Sequence, residues 1–354
     1  MNIRDTLEKV LSGERLTLEE GTSLLVHSDL LPLGQAANLV RQKLHPQKRV
    51  TFVIDRNINY TNICTCGCKF CAFYRSPKAR DAYIITQEEL FDKIDETLQV
   101  GGTELLIQGG LHPDLGIEYY ENLLHSIKER YRIHIHSFSP PEVIHISKVS
   151  NITPREVLLR LKAAGLDSLP GGGAEILVDR VRKVISPNKV SWSLWMKVME
   201  MAHQMGMQTT ATMMFGHVET PEERVLHMLR VREQQDRTGG FTAFIPWTFQ
   251  PQNTVLGGNT ATAVDYLKTL AVARLVIDNV PNIQTSWVTQ GAKIAQIALS
   301  FGANDFGSTM LEENVVRAAG VTNRVPLKEM LRCITEAGFQ PAQRSTDYNI
   351  IRTF

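Results

Sequence analysis

From Val50 to Phe306 the chain alternates short β-branched or apolar runs with longer stretches of helical periodicity, and this alternation leaves few folds open. Strand–helix units repeated in this way make a parallel sheet with right-handed crossovers. The predicted strands are Val50–Ile54, Glu104–Gln108, Ile133–Phe138, Asp167–Leu169, Thr209–Phe215, Phe244–Phe249, Ile283–Trp287 and Gly302–Phe306. About eight units point to an α/β fold of the (β/α) TIM-like barrel type rather than a doubly wound sheet. Helix starts are legible between them. Thr86 precedes Glu89 as N-cap and capping acid, and Thr153-Pro154-Arg155-Glu156 and Thr220-Pro221-Glu222-Glu223 repeat a cap–proline–acid pattern. Pro246 predicts a bulge or sparse pairing in its strand.

Residues 1–49 read as an N-terminal helical cap over the bottom or side of the barrel, with Thr17 and Glu20 forming a capping box. Leu24, Leu25, Leu30 and Leu31 supply its packing surface. Residues 50–310 are the barrel, and residues 311–354 read as a C-terminal helical extension ending in a short tail. No linker or repeat divides them, so one compact unit is expected. Hydrophobic residues make up 43% and charged residues 21%, with net charge +1. That balance carries no nucleic-acid footprint and no bias toward a membrane surface. No apolar run is long enough to span a bilayer. Five cysteines, four of them clustered, do not make a secreted disulfide framework, so a reducing, cytoplasmic setting is expected.

The cluster is Cys64-Thr65-Cys66-Gly67-Cys68-Lys69-Phe70-Cys71, in which Cys64, Cys68 and Cys71 have the spacing C-x3-C-x2-C. Pairing such near neighbours as disulfides would strain the loop, whereas thiolates suit a soft metal centre. Two readings follow. With Cys66 as fourth ligand the loop would bind zinc and stabilise a binding module, although zinc sites usually join two separated ligand pairs. With three ligands on a 4Fe–4S cube, one iron stays open to chemistry. The loop follows the first strand, at the end where a parallel barrel places its active site.

C-x3-C-x2-C with an aromatic before the last cysteine resembles the signature of the radical S-adenosylmethionine (SAM) superfamily. The resemblance implies a 4Fe–4S cluster on Cys64, Cys68 and Cys71, and SAM chelated at the open iron and split to a 5′-deoxyadenosyl radical. It implies Phe70 beside the adenine. Gly101-Gly102-Thr103-Glu104 resembles the element that binds the SAM amino group, so Gly101, Gly102 and Glu104 are expected there. Gln108, beside two glycines at a strand end, and Ser137, at the end of the third strand, face the mouth as further cofactor contacts. Glu175 matches the acid that relatives place on the SAM ribose.

The resemblance narrows beyond the loop. Asp55–Asn62, Cys71–Arg75, Gln108–Pro113 and His136–Glu142 resemble a quinone-biosynthesis branch that includes the futalosine-pathway enzymes and the deazaflavin-forming FO synthase subunits. Gly302–Met310 and Glu312–Val316 most resemble the ring-closing enzymes of the futalosine route to menaquinone. That implies abstraction of a ribose C4′ hydrogen from dehypoxanthine futalosine, addition to the benzoate ring, and loss of an electron and a proton. An electron donor such as flavodoxin or ferredoxin is implied as partner. Alternatives are an aminodeoxyfutalosine synthase or an FO-synthase-type enzyme. Expected substrate contacts are Arg56, Arg75, His217, Trp247 and Asp305; the proton-accepting group is not identified. His134 and His136 share a strand face and read as satisfied core groups, Met213 and Met214 as core, and Cys333 as a buried apolar residue.

Overall fold

The computed structural model describes residues 2–354. Its strands are β1 (Arg49–Val53), β2 (Asp55–Ile58), β3 (Glu104–Ile107), β4 (His134–Ser137), β5 (Ser168–Leu169), β6 (Gln208–Phe215), β7 (Phe241–Thr248), β8 (Asn282–Ile283), β9 (Asp305–Ser308), β10 (Gln340–Arg344) and β11 (Ile350–Thr353). Strands β2 to β8 form one parallel sheet in chain order, curled as a half-barrel with helices outside. A second sheet, ordered β11-β10-β1-β9, meets it at both edges. Only Ile54 separates β1 from β2, and its carbonyl accepts from Thr103 N (3.0 Å) at the head of β3. At the other edge Gln284 bridges to Asp305 beyond β8. The expected α/β barrel is therefore present, with its wall divided between two sheets.

The helix caps read from sequence hold. Thr17, Thr86 and Thr220 each form a full capping box, and Thr153 caps the helix Pro154–Ala164. Each cap contributes about 1 kcal/mol. The N-terminal helices Ile3–Leu11, Leu18–His27 and Leu30–Leu44 lie along the barrel's side. There Gly21 packs against Val225 and Val276, and Gly34 against the Phe301 ring. Leu24 and Leu25 are buried, but Leu31 is 74% exposed and supplies no packing.

Of the two readings of Pro246 the sparse pairing holds, and three other readings need correction. Pro246 sits in register opposite Met213 without a bulge, the β6–β7 irregularity lying at Thr209/Thr210. Proline is tolerated because β8 pairs with β7 only at Ala243 and Phe244, leaving one edge of Pro246 unpaired. The run to Trp287 is a strand only over Asn282–Ile283, and Trp287 already begins the helix Trp287–Ala298, kinked at Gly291. The helices Pro140–Ser150 and Asp179–Ile185 were not expected. Finally, residues 311–354 are not helical throughout: after the helix Leu327–Glu336, β10 pairs in parallel with β1 and β11 folds back on β10. The sequence Gln340-Pro341-Ala342-Gln343-Arg344 has no β-branched residue to announce a strand.

The core has two contiguous parts, one around Phe52, Trp195, Phe215, Phe244 and Tyr266, the other around Tyr60, Leu105, Tyr120, Ile135 and Phe138. Met213, Met214 and Cys333 are buried as expected. Along the strands the alternate residues turn inward: Asp55 and Asn57 on β2, Glu104 and Leu106 on β3, Ile245 and Trp247 on β7. No helix among the described residues is long and apolar enough to cross a membrane.

Candidate active site

The inward residues enclose a cavity of about 270 Å³ that runs the length of the barrel interior. Asp55, Glu104, Thr346 and Tyr348 line its floor; Gln108, Gly172, Glu175, Trp247 and Met310 line the upper part, beside the cysteine loop.

The loop is fixed from several directions. Cys64 N donates to Arg75 O (3.0 Å), Thr65 N to Leu111 O (3.0 Å), and Lys69 N to Ile185 O (2.8 Å). Asn188 Nδ2 donates to Cys66 O (3.1 Å). All the cysteines are free thiols, with Cys64 and Cys71 partly exposed and Cys66 and Cys68 buried. The sulfurs of Cys66 and Cys68 lie 3.4 Å apart. The hydrogen bond from Cys66 brings Cys68 down to about 7, against the pull of burial, and the Lys189 cation lowers it further. The donor to Cys68 is itself held as a thiol, and burial pushes Cys64 and Cys71 up. Among the described residues no three such side chains meet at one point as a single-ion cage. Three soft sulfurs on one anchored loop, with a cation beside the buried one, fit an iron–sulfur centre in donor chemistry.

Glu175 takes a left-handed backbone (φ 44°) that turns its carboxylate inward, where Lys189 Nζ lies 2.5 Å away. Burial pushes this carboxyl up, but Lys189 and Arg182 outweigh it and hold Glu175 below the usual carboxylate range. Lys189 also stands 5.1 Å from the centroid of the Phe70 ring. Arg182 donates to Ala174 O (2.5 Å), Gly173 O (3.1 Å) and Val190 O (2.8 Å), and Trp195 Nε1 donates to Gly172 O (3.1 Å). The glycine loop is thus clamped rather than flexible.

Gln108 lines the cavity, and Gly110 packs against the Ile63 carbonyl and Cys64 Cβ, so the chain after β3 abuts the cysteine loop. Glu142, fully buried, organises this edge. It accepts from Gly109 N (3.1 Å), Tyr60 OH (2.9 Å), Ser139 N (2.7 Å) and Ser139 Oγ (2.6 Å). Sequence reasoning missed Glu142 as a site-shaping residue, although Ser139-x-x-Glu142 is a legible capping box.

Several expected contacts lie elsewhere. Gly101 and Gly102 precede β3, at the end away from the cysteine loop, where Gly101 O accepts from Gln343 Nε2 (3.1 Å). Glu104 reaches the cavity, but at its floor, bonded to Thr346 Oγ1. Ser137 Oγ donates to Ile107 O (3.0 Å) within the wall. Arg56 points outward from β2, between its inward neighbours, and pairs with Glu96 (2.7 Å) and Glu312 (3.5 Å). Arg75 closes the cysteine loop by donating to the carbonyls of Ala72, Phe73 and Tyr74 and pairs with Asp81 (2.6 Å). His217 is held by Glu219 (3.0 Å) and Met214 O (3.1 Å). Asp305 is consumed by Arg344 (2.5 Å). Of the expected substrate contacts, Trp247 is the one that lines the cavity. His134 and His136 both bond Ser168 Oγ (2.7 Å each), as satisfied core groups.

Two family models match the chain. Residues 58–231 match the radical SAM superfamily, and residues 238–353 match the CofH/MqnC C-terminal region. The chain is 51% identical, over all of its length and 96% of the relative's, to the cyclic dehypoxanthine futalosine synthase of Halalkalibacterium halodurans. It is 44% identical to the protein of that name from Streptomyces coelicolor, over 98% of this chain and 88% of that one. A 5-amino-6-(D-ribitylamino)uracil–L-tyrosine 4-hydroxyphenyl transferase of Methanosarcina barkeri is 43% identical, over 98% and 94%. Among solved structures, methylornithine synthase superposes with a TM-score of 0.74 at 21% identity, covering 95% of this chain and 97% of that one, a likeness of fold.

Proposed function

The chain belongs to the radical SAM superfamily and to its CofH/MqnC group, and on that premise we propose that it closes a ring, converting dehypoxanthine futalosine to cyclic dehypoxanthine futalosine in menaquinone biosynthesis. The observation that carries this reading is 51% identity along the whole chain to a cyclic dehypoxanthine futalosine synthase, against 43% to a 5-amino-6-(D-ribitylamino)uracil–L-tyrosine 4-hydroxyphenyl transferase. In this proposal Cys64, Cys68 and Cys71 would hold a 4Fe–4S cluster, and Phe70, Gln108, the backbone of Gly109 and Gly110, and Glu175 would hold SAM. Bound there, these groups would supply the radical chemistry that takes a ribose C4′ hydrogen from the substrate.

The protein's own residues orient and shield. Lys189 keeps Glu175 ionised as a hydrogen-bond acceptor. Glu142 fixes the Gly109 amide, and with it the backbone that lies against the cysteine loop. Leu106, Ile245, Trp247 and Met310 wall the cavity, so that a reacting carbon meets substrate rather than water. An electron carrier such as flavodoxin or ferredoxin in the cytoplasm is the proposed reductant.

An anaerobic assay tests the reading. The reconstituted protein is given reductant, SAM and dehypoxanthine futalosine, and products are weighed by mass spectrometry. Free 5′-deoxyadenosine with a product two hydrogens lighter than the substrate is expected. An adenosyl unit retained in the product from an enolpyruvyl substrate would make it an aminodeoxyfutalosine synthase. Consumption of tyrosine with 5-amino-6-(D-ribitylamino)uracil would place it with the transferases.

A further inference from the structure

The floor of the cavity holds more hydrogen-bonding capacity than the fold uses. Asp55 on β2 and Glu104 on β3 stand directly opposite in register, 2% and 5% exposed, with their side chains on the same cavity. Ser308 Oγ bonds Asp55 and Thr346 Oγ1 bonds Glu104, which leaves acceptor lone pairs free on both carboxyl groups. Two residues beyond Asp55, on the same face, Asn57 is 6% exposed, lines the cavity, and its Oδ1 has no hydrogen-bond partner. The Tyr348 hydroxyl, also on this cavity, is buried and unpartnered. A buried acceptor left without a donor costs stability and calls for an explanation.

The floor offers no free cation. Arg344 is the one arginine or lysine among the described residues lining the cavity, and it is spent on Asp305 Oδ2 (2.5 Å), Asp305 Oδ1 (3.3 Å) and Ser345 O (3.1 Å). Acceptors without a free cation take uncharged, donor-rich groups and repel carboxylates. We infer that the cavity floor is a pentose-binding subsite in which Asp55, Asn57 and Glu104 accept hydrogen bonds from sugar hydroxyls, so that substrate enters hydroxyls first with its carboxylate toward the mouth. This orientation rests on the futalosine reading above. The subsite lies about 10 Å along the strand from the Ile58 end of β2, beyond which the cysteine loop begins. It therefore accommodates a sugar rather than SAM.

The test is calorimetric titration of the reconstituted enzyme with SAM and no reductant, so that binding is read without turnover. The probes are dehypoxanthine futalosine, its analogue lacking the two vicinal ring hydroxyls, and its benzoate methyl ester. Wild type should bind the deoxygenated analogue at least tenfold more weakly. Asn57→Leu and Glu104→Gln, each checked for an intact thermal transition, should weaken the hydroxylated probe by a similar factor and the deoxygenated one little, so that the two losses do not multiply. Losses that multiply, or floor variants that cancel the penalty of the methyl ester instead, overturn the subsite. With 5-amino-6-(D-ribitylamino)uracil as a fourth probe the two readings separate. If wild type ignores futalosine but binds this compound with the same Asn57 dependence, the futalosine reading falls and the subsite stands. If wild type binds none of them, both fall.

Discussion

Lys189 Nζ lies 2.5 Å from Glu175 Oε1, a buried ion pair joining two segments that both border the cysteine loop. Removing one partner leaves the other charge buried and alone, which typically costs roughly 3–5 kcal/mol. Lys189→Met should therefore lower the unfolding free energy in urea by that order, and adding Glu175→Gln should restore part of it. Equal stability of the single and double variants would mean that the pair is not coupled in solution.

The same lysine acts on Cys68. A hydrogen bond from Cys66, working against burial and helped by Lys189, sets this thiol at about 7, while burial holds Cys64 and Cys71 up. Because the thiolate is the reactive form, iodoacetamide should label Cys68 of the cluster-free protein with a half-maximal rate near pH 7, and Cys64 and Cys71 only at higher pH. Cys66→Ala and Lys189→Met should each move the Cys68 profile upward. Site-resolved mass spectrometry reads all three cysteines, and one common profile would contradict the assignment.

The barrel and its cysteine loop were legible because both are written in local patterns: β-branched runs, threonine caps and C-x3-C-x2-C. What escaped depends on contacts distant in sequence. Lys189 is an ordinary polar residue until the fold brings it to Glu175 and Phe70. Arg344, Thr346 and Tyr348 reach the cavity only because a segment with poor strand propensity adds beside β1. Arg56 was misplaced because β2 turns Asp55 and Asn57 inward and sends it outward, a matter of strand parity that composition does not reveal.

Asp55 should leave a signature in the pH dependence of stability. Burial, and then the facing charge of Glu104, push its carboxyl up to about 7 in the folded protein. An unfolded aspartate titrates at about 3.9. Between these values the folded state holds a proton that the unfolded state lacks, so this contribution is present below about pH 4 and is lost as pH rises through about 7. The slope is at most about 1.4 kcal/mol per pH unit. The unfolding free energy of wild type relative to Asp55→Asn should thus decline from pH 5 to pH 7 and level off above. A difference that stays flat across this range would show that Asp55 is ionised throughout.

Two glycine pairs compete for the cofactor edge, and single methyl groups separate them. A Cβ on Gly110 would overlap the Ile63 carbonyl and fall 2.9 Å from Cys64 Cβ, where backbone cannot give way cheaply. A Cβ on Gly101 meets nothing within 4 Å, although φ +81° makes any side chain there strained by about 1 kcal/mol. Gly110→Ala should therefore displace the start of the cysteine loop and cut iron retained after reconstitution severalfold, while the thermal transition of the cluster-free protein shifts only modestly. Gly101→Ala should destabilise by about 1 kcal/mol and leave iron content unchanged, because that turn lies at the other end of β3 from Cys64. Iron analysis beside a melting curve distinguishes the two effects. If Gly101→Ala loses iron and Gly110→Ala keeps it, the cofactor edge belongs to the glycine pair before β3, against the geometry of the loop.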